Sequence, residues 1–259
     1  MERNSSIELL RIIAIMGVVI LHYNNSGMGG AFYYVTEGSV NQYYLFFSES
    51  FFIYAVNLFI VISASYLSAT NKRKAIKVAE LLIQVISFRL VGYILPTIII
   101  GERLSLKLII ECLLPANYFV ILYLVIYILS PYINILIDSL SYKYFKKLIC
   151  LLIFIFSIWT IIVDFLENIL EKSINGLSTV GMFGSQYGLS VVNFTLIYFI
   201  GAYIRKMELK LSSLKAIALI VLIVLMIYLS SIVECKLELE EIVTWNYNNP
   251  LIILLAAII

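Results

Sequence analysis

ELLRIIAIMGVVILH, running from Glu8 to His22, is apolar enough to lie in lipid and yet carries three ionisable side chains. With its flanks it forms a candidate span, Ile7 to Tyr23, long enough to cross most of a ~30 Å hydrocarbon layer as a helix. An ionisable residue at membrane depth is expensive unless it faces a cavity or a partner. Helical geometry groups the three. Arg11 and His22 are eleven residues apart, about three turns, which returns to within ~20° of the same face and separates them by ~16 Å along the axis. Glu8 precedes Arg11 by one turn on the same stripe, where the two can pair. The alternative is that Arg11 snorkels to one interface while His22 sits among headgroups at the other, and spacing alone leaves both readings open.

Working outward, apolar residues make up 62% of the chain and charged residues 13%, against about half and a quarter in soluble domains. The net charge of +2 excludes a nucleic-acid partner as the driving reading. Further runs of spanning length are Ser50 to Ala69, Leu81 to Ile100, Tyr118 to Ile137, Leu148 to Val163, Leu189 to Ile204 and Ala216 to Val233, and an eighth begins at Leu251. The fifth and sixth are short, but Trp159, Tyr187, Tyr198 and Tyr203 near their ends suit an interfacial belt. The runs are continuous rather than alternating, which favours helices over a membrane barrel. The expected architecture is an all-α integral membrane protein, a polytopic helical bundle of about seven full spans and a truncated eighth. It forms one domain over residues 1–259, incomplete at its C-terminus.

Lysine and arginine order these spans. Arg3, then Lys72, Arg73, Lys74 and Lys77, then Lys143, Lys146 and Lys147, then Arg205, Lys206, Lys210 and Lys215 occupy the N-terminus and every second loop. Glu37, Glu49, Glu102, Glu111, Asp164, Glu167, Glu171, Glu234, Glu238, Glu240 and Glu241 fall in the intervening loops, with Arg103, Lys107, Lys172 and Lys236 as the basic exceptions. Positive charge resists translocation, so this alternation places the N-terminus in the cytoplasm of a plasma-membrane protein. No cleavage site of the small-residue kind follows the first apolar run, so it reads as a span rather than a signal peptide. Cys112, Cys150 and Cys235 lack metal-like spacing, and a single histidine excludes a histidine-based metal cluster within one chain.

The same segment from Glu8 to His22 resembles the first span of the membrane acyltransferase-3 family, whose hallmark is an arginine and a histidine separated by ten residues. NLFIVISASYL, from Asn57 to Leu67, is similar to the family's second span, with Ala64 near the glycine of the usual Ser-Gly-Tyr element. NYFVILYLVIYILSP, from Asn117 to Pro131, resembles the fourth, and GLSVVNFTLIYFIGAYIRK, from Gly188 to Lys206, the sixth. Asn248 to Leu255 resembles the start of a later one. The resemblance implies transfer of an acyl group, usually acetyl, from cytoplasmic acyl-CoA to a hydroxyl of a cell-surface polysaccharide or another extracytoplasmic glycan. The lipid bilayer is then the protein's setting, acetyl-CoA is a co-substrate, and no cofactor or metal is tightly bound.

Under that implication His22 suits acyl chemistry, as a base on the acceptor hydroxyl or as a nucleophile. Arg11 is then suited to a CoA phosphate or the thioester, with Glu8 as its partner. Lys72, Arg73, Lys74 and Lys77 offer a cytoplasmic landing site for CoA phosphates, or simply set topology. Arg89 lies near the middle of the third span, where an exposed cation costs about 2.5 to 3.5 kcal/mol, so it is expected to face the bundle interior. Asn57, Ser63 and Ser65 are pocket groups or helix-joining hydrogen bonders. A transporter or flippase for a glycan or lipid-linked intermediate would also place arginine, histidine and glutamate in a membrane cavity, with no bond made or broken.

Overall fold

Twelve α-helices and no strand account for the regular structure among the described residues, 5–25, 28–182 and 184–259, of a computed structural model. In chain order they are α1 (Ser5–Asn24), α2 (Ala31–Tyr34), α3 (Val40–Phe52), α4 (Ala55–Leu67), α5 (Ala75–Ile100), α6 (Leu106–Cys112), α7 (Tyr118–Ser139), α8 (Tyr142–Ile153), α9 (Trp159–Leu170), α10 (Val191–Lys206), α11 (Ser213–Lys236) and α12 (Pro250–Ile258). Among the described residues, six stretches are long and apolar enough to cross a membrane: α1, Val40–Leu67, α5, α7, Tyr142–Leu170 and α11. The protein is thus an all-α polytopic membrane bundle. The expected sixth span appears as α10, a 16-residue helix.

Two spans differ from their sequence reading. The second begins at Val40 rather than Ser50, because α3 and α4 run on as one stretch to Leu67. The Ser39 side chain accepts from the Gln42 amide and starts the helix there. Glu49, read as a loop charge, therefore lies inside a helix. The fifth span extends from Tyr142 to Leu170 in place of Leu148 to Val163, through a π-helical turn at Phe154–Ile158 that joins α8 to α9. Its first turns looked like loop because Lys143, Lys146 and Lys147 crowd them. They are amphipathic instead, with Phe145 and Ile149 buried.

The core is built on α10, whose Phe194, Leu196, Ile197, Tyr198 and Ala202 are buried. It crosses α4 at unusually short range. A Cβ built on Gly201 would stand 2.7 Å from the Val61 carbonyl oxygen and 2.8 Å from the Ala64 Cβ. Small residues on both helices let their backbones approach, the usual device where no hydrophobic force drives helices together in lipid. A second close approach brings α1 onto the α3–α4 stretch, where a Cβ on Gly17 would meet the Phe52 ring at 2.8 Å. By contrast α5 sits at the rim of the bundle, with Thr97 its one buried residue.

Candidate functional site

Both ends of the polar stripe on α1 face the same two neighbours, α4 and α7. At one end Arg11 donates to the Glu8 carboxylate at 2.8 Å and lies over the Tyr66 ring of α4, 5.3 Å from its centroid. Guanidinium over an aromatic face is a favourable contact in itself. Tyr123 of α7 lies in the field of both Arg11 and Arg73 and close to Ser63. Arg73 is largely committed: it donates to the Ser130 hydroxyl at 2.7 Å, to the Leu67 carbonyl at 2.8 Å and to the Thr70 carbonyl at 2.6 Å. It therefore ties the end of α4 to α7. Lys72 and Lys77 are exposed on this side.

At the other end His22 lines a cavity of about 240 Å³ between α1, α4, α7 and the segment before α12. Its polar lining consists of His22, Asn117, Tyr118 and Tyr247, set among apolar residues that include Val19, Val56 and Phe59. Asn117 is the N-cap of α7, its side chain accepting from the Val120 amide at 3.0 Å, which fixes the first turn that carries Tyr118. Tyr118 and Tyr247 are neighbours in this lining. Burial, then the neighbouring Tyr118 and Glu49, push the Tyr247 phenol well above its usual range, so it stays a neutral donor.

Tyr247 is placed by a buried polar knot. Its amide donates to the Tyr187 carbonyl at 2.8 Å and its carbonyl accepts from Asn57 at 2.7 Å. Next along the chain, the Asn248 carbonyl accepts from Ser157 at 2.6 Å and the Asn248 side chain donates to Thr160 at 2.7 Å. Asp164 accepts from the Ser185 amide at 3.0 Å and from Asn246 at 3.0 Å, while Glu234 accepts from the Thr244 amide at 3.1 Å and from its hydroxyl. Both read as loop charges in the sequence, but Asp164 lies midway along α9 and Glu234 in the last turn of α11, and each pins a loop. Gly188, at φ +76°, meets Asn248 so closely that a Cβ would stand 2.3 Å from its amide nitrogen. Outside the knot lies a polar cleft of about 340 Å³ that includes Asp164, Asn168, Tyr187, Glu241 and Asn246 in its walls. There the Tyr187 hydroxyl donates to Glu241 at 2.5 Å, and chiefly that bond pushes the Tyr187 phenol up to about 12.

The structure thus brings Glu8, Arg11, Arg73 and Ser63 together at one end and His22 with Tyr118 and Tyr247 at the other. Asn57 reaches the cavity only through the Tyr247 backbone. Arg89 is a correction: it does not face the bundle interior, because α5 is peripheral, and its guanidinium donates to the Leu114 carbonyl beyond α6 at 2.6 Å. Sequence reasoning missed Tyr118, Tyr247, Asn24 and Glu49. Asn24 follows His22 by two residues and is buried, donating to Glu49 at 2.8 Å and to Ser48 at 3.1 Å. A glutamate in an aromatic run next to a further span was the signal available for it.

Fold and site together define a polytopic membrane protein with one helix polar at both ends, presenting a cation at one and an imidazole in a cavity at the other. The chain matches the acyltransferase-3 family, described as an acyltransferase domain, over residues 4–259, and it belongs to that family of membrane acyltransferases. No curated protein and no solved structure matches it.

Proposed function

We propose that the protein transfers an acyl group, acetyl in the simplest case, from cytoplasmic acyl-CoA to a hydroxyl of an extracytoplasmic glycan, with His22 as general base. The observation that carries this reading is the common facing of Arg11 and His22 toward α4 and α7 across ~16 Å of α1, with His22 in the cavity. A thioester entering at the Arg11 end would find a guanidinium for its phosphates or carbonyl, with exposed Lys72 and Lys77 nearby. At the His22 end imidazole, set among largely apolar walls, takes the acceptor proton near neutral pH. The cleft supports acceptor entry from that side: Asn246 lines it and the next residue, Tyr247, lines the cavity. The basic loops at the Arg11 end support a cytoplasmic N-terminus in a plasma membrane.

The test is transfer of labelled acetyl from acetyl-CoA to surface glycan in cells expressing wild type, His22→Ala or Arg11→Ala at equal level. Loss of transfer in both variants supports the reading. Full activity in His22→Ala removes it.

A further inference from the structure

We propose that Tyr118 is a catalytic hydrogen-bond donor of the acyl-transfer site, and that Tyr247, beside it in the cavity, and Glu49, acting through Asn24 at the His22 end of α1, are positioning residues. The proposal rests on the reading of His22 given above. Acyl transfer needs two things of a protein: a group to take the proton of the attacking hydroxyl, and a donor for the oxygen that becomes negative. His22 supplies the first. Among the described residues that line the His22 cavity, Tyr118 and Tyr247 carry the hydroxyls.

Their geometry assigns the roles. Tyr118 and Tyr247 stand together in that lining. Tyr118 is partly exposed, opens on the cavity, and stands on a helix turn capped by Asn117. Tyr247 is clamped through both its amide and its carbonyl. Glu49, inside a spanning helix, accepts from Asn24 at 2.8 Å, two residues beyond His22, and so ties the His22 end of α1 to α3. Among the described residues no ion pair includes it. A carboxylate inside a membrane without a countercharge is costly and marks a functional position.

The step balances as follows. The acceptor oxygen forms a bond to the thioester carbonyl carbon while its proton passes to the His22 imidazole. The carbonyl π electrons move onto oxygen, where the Tyr118 hydroxyl donates a hydrogen bond without giving up its proton. Collapse of the oxyanion breaks the carbon–sulfur bond, and the thiolate takes the proton from His22. Ester and thiol leave, and every protein group returns to its starting state. Because the walls are apolar, a hydrogen bond to the oxyanion is worth more there than in water.

The experiment measures steady-state acetyl transfer by purified protein in proteoliposomes for wild type, His22→Ala, Tyr118→Phe, Glu49→Gln and Glu49→Asp. Tyr118→Phe is expected to lower kcat by roughly 10² to 10³ with little change in KM, as for loss of one oxyanion donor. Glu49→Gln is expected to lower kcat by less, again at constant KM, and Glu49→Asp to recover part of the loss, while thermal midpoints stay together. A wild-type kcat in Tyr118→Phe, with His22→Ala inactive, overturns the tyrosine proposal and leaves the histidine reading intact. A raised KM at unchanged kcat in Glu49→Gln overturns the positioning role. Full activity in His22→Ala overturns the parent reading and this one with it.

Discussion

Replacing Asn57 by leucine separates a clamp from a substrate contact. Asn57 is fully buried and its amide nitrogen sits 2.7 Å from the Tyr247 carbonyl oxygen. Leucine keeps the approximate volume and removes the donor, so the buried carbonyl loses its partner at a cost of about 1 to 3 kcal/mol. For a protein of this size each kcal/mol corresponds to roughly 2 to 4 °C in Tm, which gives a fall of about 2 to 12 °C. The assay is thermal unfolding in detergent, with hydrogen exchange at the Tyr247 amide, whose bond to the Tyr187 carbonyl belongs to the same clamp. Exchange there should quicken while KM for the donor stays unchanged. An unaltered midpoint and unaltered Tyr247 exchange, or a raised KM in a fully stable variant, would refute the clamp and return Asn57 to the pocket.

Gly201→Val should destabilise the bundle by about 1 to 3 kcal/mol or more, since the atoms its side chain would strike include the Val61 backbone, which has no room to yield; a wild-type melting midpoint would contradict the close crossing. Arg89→Ala should leave acetyl transfer unchanged at equal expression, because its guanidinium binds the Leu114 carbonyl away from the stripe; loss of transfer would show that it does reach the pocket. Ultraviolet difference titration of wild type against Glu241→Gln should show the Tyr187 phenol moving from about 12 back toward 10. The raised value means that the contribution of this bond to stability is complete below pH 10 and disappears as pH rises through about 12. An unchanged titration curve in Glu241→Gln would place the cause elsewhere.

Much of the membrane architecture is legible in the sequence because lipid imposes a length and an apolar composition on each span, and the run from Glu8 to His22 displays both. The α1 stripe is legible for a related reason: residues on one helix keep their angular relation whatever surrounds them. Loop charge was less reliable. Glu49, Asp164 and Glu234 read as loop residues because charge usually marks the edge of a span, yet each lies in a helix and is satisfied by polar groups distant in sequence. The cavity lay beyond sequence reasoning for the same cause. Tyr118 and Tyr247 are separated by 129 positions, and nothing local in NYNNP indicates that its backbone is clamped by Asn57 and Tyr187. Arg89 was misplaced because insertion cost shows that a buried cation needs a partner without saying on which side of the helix it finds one.

The central claim is that acyl transfer crosses the bilayer along α1 and ends at His22. Proteoliposomes with the protein oriented, acetyl-CoA supplied only at the Arg11 face and glycan acceptor only at the His22 face, test it most directly. The account predicts acetylated glycan on the His22 side with wild type and none with His22→Ala. Equal product from His22→Ala, or product only when donor and acceptor share one side, would contradict it.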